Sequence, residues 1–463
     1  MTQRSIDTMN SHQAPPFVPP LPPIPENELS WYGFLKAVRT NALEIWPERA
    51  YREDVLVQSF LGRTRILLNT PAAIQRVLVE NTANYRRTPA SIRILRPVVG
   101  EGLILSEGEA WRHQRRTIAP ALTPRFVPVL ARHVIEAADE AIARLAAEHG
   151  PVDLLAAVQL LTLEIAARSM FSLEMQRYGA ALRRLMAQFA VRLARPYLFD
   201  MLLPATIPTL RDLARMRFRG HWVALMDEII AARLAAEASE SPRDLFDGLL
   251  AARDPQTGAA FSRAQLRDQV ATMIVAGHET TALTVFWSMF LLASAPAEQE
   301  RVFAEACAVE LTVKNAAEAL PELPYTRAVV SEALRLYPPA YLIARVAIGA
   351  DAVGDVRIPR GTLVMISPWV LHRHVALWSN PDAFEPSRFL GDKQPAPRLA
   401  YLPFGAGPRV CVGATFALAE ATLVLATLIR HFQVSLADAR PVLPMAVITT
   451  QPDHPAPFHL RKR

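Results

Sequence analysis

Two cysteines among 463 residues, Cys307 and Cys411, cannot build a disulfide framework, which favours a reducing compartment. Glycine- or serine-rich linkers, low-complexity runs and internal repeats are missing from the middle of the chain. Length alone would suggest about three domains, but nothing in the composition divides the chain. No block of like charge is present either. The formal net charge of +6 is spread over many arginines, too diffuse for a nucleic-acid-binding tail and better suited to basic patches that meet an acidic protein. The N-terminal stretch MTQRSIDTMNSHQAPPFVPPLPPIPENELSWYGF lacks both an apolar signal core and a spanning segment, so export and an N-terminal membrane anchor are not expected and the cytoplasm is. One internal run, Thr280 to Ala297, carries no formal charge and approaches membrane-span length. Gly277, His278 and Glu279 before it, the threonines and serines within it and Pro296 near its end mark a buried core helix instead.

What is present reads mostly as helix. Residues 1–30 are proline-rich and favour an extended, polyproline-like arm, a flexible tail being the simplest reading of its role. Residues 31–463 read as one unit. DVLVQSFLGRTRILLN alternates as strands around a turn at Gly62, and VGDVRIPRGTLVMISP is a second strand-like region much later in the chain. Between them, segments such as PVLARHVIEAADEAIARLAAEHG place apolar residues at three- and four-residue spacing. Ser262-Arg263-Ala264-Gln265 is a capping box that opens a long helix.

The loop Phe404-Gly405-Ala406-Gly407-Pro408-Arg409-Val410-Cys411-Val412-Gly413 concentrates the strongest signal. It presents a lone thiol ahead of the helix-like run ATFALAEATLVLATLIR, where free N–H groups and the macrodipole favour a thiolate. Gly405 and Gly407 permit a tight loop that approaches a flat ligand closely. Gly413 removes a side chain where the new helix would press on that ligand, and Arg409 can hold a carboxylate at the ligand's edge. A cysteine packed as a small apolar residue is the bland alternative, and it leaves the glycines and Arg409 without a reason. Position for position the loop resembles the haem-binding loop of the cytochrome P450 monooxygenases, in which cysteine thiolate ligates haem iron. The resemblance implies haem b (iron protoporphyrin IX) with Cys411 as axial ligand and Phe404, Gly405, Arg409 and Gly413 around it.

Further motifs in the family's order extend the resemblance from about Trp111 to Gly413. Ala276-Gly277-His278-Glu279-Thr280-Thr281 falls inside the long helical pattern, where glycine costs about 1 kcal/mol relative to alanine and a buried glutamate is expensive. A threonine bonded back to its own helix is the structural alternative. The segment resembles the family's oxygen-binding helix, which implies a proton relay through Glu279 and a hydrogen bond from Thr280 to oxygen at the iron. Glutamate stands where many relatives carry aspartate. Glu332 and Arg335 share a helical face, and alone would read as a solvated pair. With Arg388 of Pro386-Ser387-Arg388-Phe389, the resemblance implies a structural network that holds the cysteine loop. Trp111 and Arg115 lie four residues apart on one face of WRHQRR, and the resemblance assigns them to a haem propionate, with Arg345 and Arg409 beside them. His372 and His278 read as packing residues rather than ligands.

The resemblance implies a mainly α, triangular domain with a small β-rich lobe, the haem lying between the Glu279–Thr280 helix and the helix after Cys411. The implied reaction inserts one atom of O2 into a lipophilic small molecule, by hydroxylation or epoxidation. Electrons are expected from NAD(P)H through a separate ferredoxin or flavodoxin-type donor and its reductase, since the chain ends about fifty residues after Cys411. Arg112 and Arg116 are candidates for the donor's docking face. A haem-thiolate peroxygenase or isomerase is the rival among enzymes, and a non-catalytic haem sensor the rival outside them. By family analogy Val275, Ala276, Ala340, Leu342 and Ile343 line the substrate pocket. Apolar linings are ordinary, so a fatty acid, a terpenoid and other lipophiles all remain open.

Overall fold

A computed structural model describes residues 15–60, 62–172, 175–235, 244–391 and 395–463. The pattern opened at Ser262 forms the axis of the molecule, one helix of 32 residues, Arg263–Ser294. The capping box is present: the Ser262 side chain accepts from the Gln265 N–H at 3.2 Å, and the Gln265 side chain accepts from the Ser262 N–H at 2.9 Å. Every residue from Thr281 to Leu292 is buried. A surface helix buries one stripe, so burial all round means that protein wraps this one. The helices Leu154–Phe171, Pro324–Leu336 and Ala414–His431 pack against it. Its hydroxyls are satisfied internally, with Thr284 donating to the Thr280 carbonyl at 2.8 Å and Ser288 to the Thr284 carbonyl at 2.7 Å. The uncharged run from Thr280 is therefore core, and Pro296 opens the next helix, Pro296–Ala308. Among the described residues, Ala414–His431 is the single unbroken helix long and apolar enough to cross a membrane, and it is mostly buried inside the protein.

The β-rich lobe is assembled from distant segments. Its five-stranded sheet runs in the order Val55–Phe60, Arg63–Leu68, Leu363–Ile366, Ile343–Ala347, Tyr85–Arg87. Gly62, at φ +75°, turns the first hairpin in the left-handed region that favours glycine. Strand alternation sorts the sheet into two faces. Leu56, Leu67 and Met365 join the main core with Phe34 and the central helix, while Ile66, Leu68, Val364 and Ile366 form a smaller cluster on the other side. The C-terminal hairpin Pro444–Ala446 with Thr450–Pro452 returns towards the central helix, where the Thr450 carbonyl accepts from Trp287 Nε1 at 3.0 Å.

Residues 1–14 of the proline-rich arm lie outside the described residues. From residue 15 to residue 30 the arm follows the body closely. The Phe17 carbonyl accepts from the Phe384 N–H at 2.8 Å, the Pro25 carbonyl from the Glu48 N–H at 3.0 Å, and Glu28 pairs with Arg49. Phe17, Leu21 and Leu29 pack against the main core. This stretch is docked, because proline leaves carbonyls free to accept while its rings bury apolar surface.

Behind the cysteine loop, Glu332 and Arg335 are completely buried. Arg335 donates to both Glu332 oxygens at 2.7 and 2.8 Å, and Arg388 Nε adds a bond to the same carboxylate at 3.1 Å. Arg335 also reaches the carbonyls of His372 and Ala383 at 2.8 and 2.9 Å. His372 is packed: burial first, and the Arg335 charge second, push its pKa down to about 3, so the ring is neutral. Its Nδ1 meets the Arg335 carbonyl at 3.1 Å and its Nε2 accepts from the Leu402 N–H at 2.8 Å. Replacing Glu332 with alanine strands two guanidiniums inside the protein and should cost about 3–5 kcal/mol of stability, read by chemical denaturation. An unchanged midpoint would remove Glu332 from the framework.

Candidate active site

The cysteine loop closes on itself through the Cys411 N–H, which donates to the Phe404 carbonyl at 2.9 Å, and the Val410 N–H, which donates to the Gly407 carbonyl at 3.0 Å. Gly405 and Gly407 stand at φ +72° and +70°. At Gly407 a Cβ would also collide with the Leu78 carbonyl, so glycine is required there twice over. Gly413 is different. Its φ of −94° suits any residue, and an added Cβ would meet no protein atom within 4 Å. A missing side chain at that point leaves room for a ligand rather than relieving strain.

The Cys411 side chain is solvent-accessible, yet surrounding protein raises its thiol pKa by burial, against the opposing pull of the Gly413 N–H and Arg115. Accessible and desolvated together describe the floor of a deep concavity. The helix start pulls towards thiolate, as expected, and burial opposes it; a bound metal cation is what would hold the sulfur as thiolate. Among the described residues no three His, Cys, Asp or Glu side chains gather as an alternative metal site.

Four arginines converge beside this floor. Arg115 donates to the Val410 carbonyl at 2.8 Å. Arg409 donates to the Ser106 carbonyl at 3.1 Å, pairs with Glu107 at 2.5 Å and stacks over Trp111 with its guanidinium carbon 4.6 Å from the ring centre. Trp111 thus supports Arg409, while the sequence had paired it with Arg115. Arg345 donates to its neighbouring Ala344 carbonyl at 2.9 Å. The fourth, Arg87, escaped sequence reasoning. It faces Arg345 across two antiparallel strands, and its Nε is buried with no acceptor. Burial, then Arg345 and Arg409, push the Arg87 pKa down to about 9; burial and Arg409 push that of Arg345 to about 10. Glu107 is the carboxylate that opposes both shifts. Four guanidiniums against one carboxylate call for further anions, and the two propionates of haem fit that need.

Ala276 and Gly277 are exposed in the middle of the otherwise wrapped central helix, and a Cβ on Gly277 would meet nothing within 4 Å. Here the helix becomes accessible. Glu279 Oε1 accepts from the Thr449 hydroxyl at 2.7 Å. Burial holds the Glu279 carboxyl above the usual carboxylate range, the Thr449 bond pulling the other way. Thr449, far along the chain on the C-terminal hairpin, carries no local signal that sequence could read. Thr280 donates to the Ala276 carbonyl at 2.6 Å, which is the structural alternative considered for it. That bond uses the hydroxyl proton and leaves its lone pairs free to accept. His278 is neutral, pushed down to about 4 by burial, with Nε2 on the Gln159 carbonyl at 2.9 Å.

The expected pocket residues divide. Val275 and Ala276 lie one turn before Thr280, and Leu342 packs with the main core. Ala340 is exposed just ahead of the strand Ile343–Ala347. Ile343 faces the opposite side of the sheet, in the smaller cluster, with its Cδ1 3.9 Å from a Cβ built on Gly405. It supports the cysteine loop instead of joining Leu342. Replacing Arg87 with methionine should speed haem loss to apomyoglobin by about tenfold, the scale of a hydrogen bond to a charged group. With haem dimethyl ester, which has no propionate charge, the two proteins should lose the group at equal rates.

Comparison with known proteins matches the chain to a family. The cytochrome P450 family model aligns with residues 22–454. Cyclooctatin synthase of Streptomyces melanosporofaciens is 33% identical over 378 residues, 81% of each chain. Cyclooctat-9-en-7-ol 5-monooxygenase of the same organism is 33% identical over 381 residues, again 81% of each. Cytokinin hydroxylase of Arabidopsis thaliana is 31% identical over 411 residues, 84% of this chain and 78% of its own. The crystal structure of the cytochrome P450DA heme domain superposes with a TM-score of 0.81 at 25% identity, covering 96% of this chain and 98% of that one. The chain belongs to the cytochrome P450 family of haem-thiolate monooxygenases.

Proposed function

We propose that this P450 hydroxylates or epoxidises a lipophilic small molecule, with Glu279, Thr449 and Thr280 handling the protons. When bound, haem supplies dioxygen activation and oxygen-atom insertion; the electrons come from NAD(P)H through other proteins, as in the family. The observation that carries the proton assignment is a desolvated carboxyl one residue from a hydroxyl, at the point where a wrapped helix becomes accessible. Thr449 donates to Oε1 of Glu279, so a proton on that carboxyl sits on Oε2. The Thr280 hydroxyl, its own proton spent on Ala276, can accept a hydrogen bond from a protonated oxygen species in the cavity. Arg87, Arg115, Arg345 and Arg409 fix the cofactor's edge, and Cys411 supplies the sulfur ligand. Relatives named as a 5-monooxygenase and a hydroxylase support the same reaction here.

An acidic ferredoxin or flavodoxin-type donor fits the surface on the Cys411 side. Arg112 is exposed and bonded to Glu109 on its own helix, and Arg125 is exposed nearby. Arg116 has another task. Its bonds to the buried Asp254 at 2.9 and 3.0 Å, with His113 on the same carboxylate at 2.8 Å, tie the helix Gly108–Ile118 to the segment ahead of the central helix. Charge reversal at Arg112 should slow reduction by the donor, with the difference shrinking as salt rises. The same change at Arg116 should lower thermal stability instead.

Replacing Thr280 with alanine should divert NAD(P)H consumption to hydrogen peroxide; a peroxygenase would show no such loss. Glu279→Gln should slow turnover by about a hundredfold or more. A raised pKa keeps Glu279 protonated above the ordinary carboxyl range, so its contribution falls as pH rises through the folded value. The glutamine variant should lack that alkaline limb in its pH–rate profile.

A further inference from the structure

Among the described residues, Glu107 is the one acid that acts on Arg87, Arg345 and Arg409 together. The neighbouring carboxylates are engaged elsewhere, Glu109 with Arg112 and Glu101 with Arg96. Glu107 stands at the N-cap of the helix Gly108–Ile118, where a short acid or hydroxyl would bond the first free N–H groups. Its carboxylate makes no such bond. It turns instead to Arg409, at 2.5 Å, and to the Arg87 N–H, at 3.4 Å.

The loop that carries Glu107 is fixed from the far side. Ser106 is 5% exposed and donates its hydroxyl to Gln114 at 2.8 Å. Gln114 donates to the Glu101 carbonyl at 2.9 Å, and the Glu101 N–H donates to Asp268 on the central helix at 2.8 Å. A Cβ on Gly102 would lie 2.2 Å from the Thr272 hydroxyl and 2.7 Å from the Asp268 carbonyl, so glycine lets the loop press onto that helix. The acid at residue 107 is thus placed, not a loose surface side chain.

Arg409 does not need this acid for its orientation. Both of its terminal nitrogens donate to the Ser106 carbonyl at 3.1 Å, and its guanidinium stacks over Trp111. What Glu107 adds is charge, which opposes the weakening of the cations by burial and by one another. A propionate at this edge would do the same for the same guanidiniums. Two acids with one set of donors compete, and as like charges they repel.

We propose that Glu107 is a resident counterion of the arginine edge, one that competes with the haem propionates for Arg409 and so loosens the protein's hold on its cofactor. The proposal rests on the assignment of that edge to the propionates. Loss of one partner from an ion pair ordinarily weakens a site. Here it leaves Arg409 oriented by Ser106 and Trp111 and frees its charge for the cofactor. The benefit of Glu107 is to the fold, because the cations do not depend on the cofactor for their only counter-charge.

The test measures transfer of haem from the holoenzyme to apomyoglobin, beside the same protein reconstituted with haem dimethyl ester. Glu107→Gln keeps the shape of the side chain and removes its charge. The variant should lose haem about fivefold more slowly than the native protein at low salt, the size of one like-charge contact screened by water. The difference should shrink as salt rises and vanish with the dimethyl ester, which carries no propionate charge. Faster or unchanged haem loss by the variant, with the native protein still holding haem better than its ester, overturns the proposal and leaves the propionate assignment standing. Slower loss of the ester as well makes the effect one of packing and overturns it too. Equal loss of haem and ester by the native protein removes both the proposal and the assignment. If the glutamine variant does not fold, Glu107→Ser carries the same comparison. A chain that folds only with an acid at residue 107 makes that acid structural and overturns the proposal.

Discussion

A single carboxylate, that of Glu332, organises the haem side of the molecule. Buried and shared by Arg335 and Arg388, it leads outward through an unbroken series of hydrogen bonds. The Arg335 carbonyl meets His372, His372 accepts from the Leu402 N–H, the Leu402 carbonyl accepts from the Gly405 N–H, and the Phe404 carbonyl accepts from the Cys411 N–H. Each link fixes the angle of the next. A buried ion pair of this kind is poor value as stability, since apolar residues of equal volume often do as well. Its worth lies in direction: the thiol is aimed by partners that have no freedom to move separately.

Electrostatics on the two sides of the cavity follow opposite rules. At the arginine edge, burial and mutual repulsion among Arg87, Arg345 and Arg409 weaken the cations until an anion joins them. At Glu279, burial weakens the anion and holds the carboxyl above its usual range. Both are consequences of removing water from charged groups. On the proposed reading, the demand for anions would be met by the cofactor's acids and the retained proton would serve oxygen chemistry.

How much of this was legible in the sequence depended on range. The cysteine loop, the capping box at Ser262 and the acid–alcohol pair are written in contiguous residues, so local spacing exposed them. Arg87, Thr449 and Asp254 became visible only with the fold, because each acts on a residue far away in the chain. Arg116 looked like a free surface charge for the same reason, its partner being hidden in another segment. Ile343 was a different kind of miss. The sequence offered no strand signal there, and only the strand Ile343–Ala347 seen in the fold puts Ile343 on the face opposite Leu342.

The docked proline arm has a consequence for how the protein is made. Phe17 leaves the ribosome long before Phe384, yet its carbonyl accepts from the Phe384 N–H, next to the Ala383 whose carbonyl accepts from Arg335. That contact joins points most of the chain apart, so it closes one of the largest loops among the described residues, at a corresponding cost in chain entropy. The arm therefore has no seat until the haem-side segment around Phe384 has been synthesised. Its docking seals a framework that is made after it.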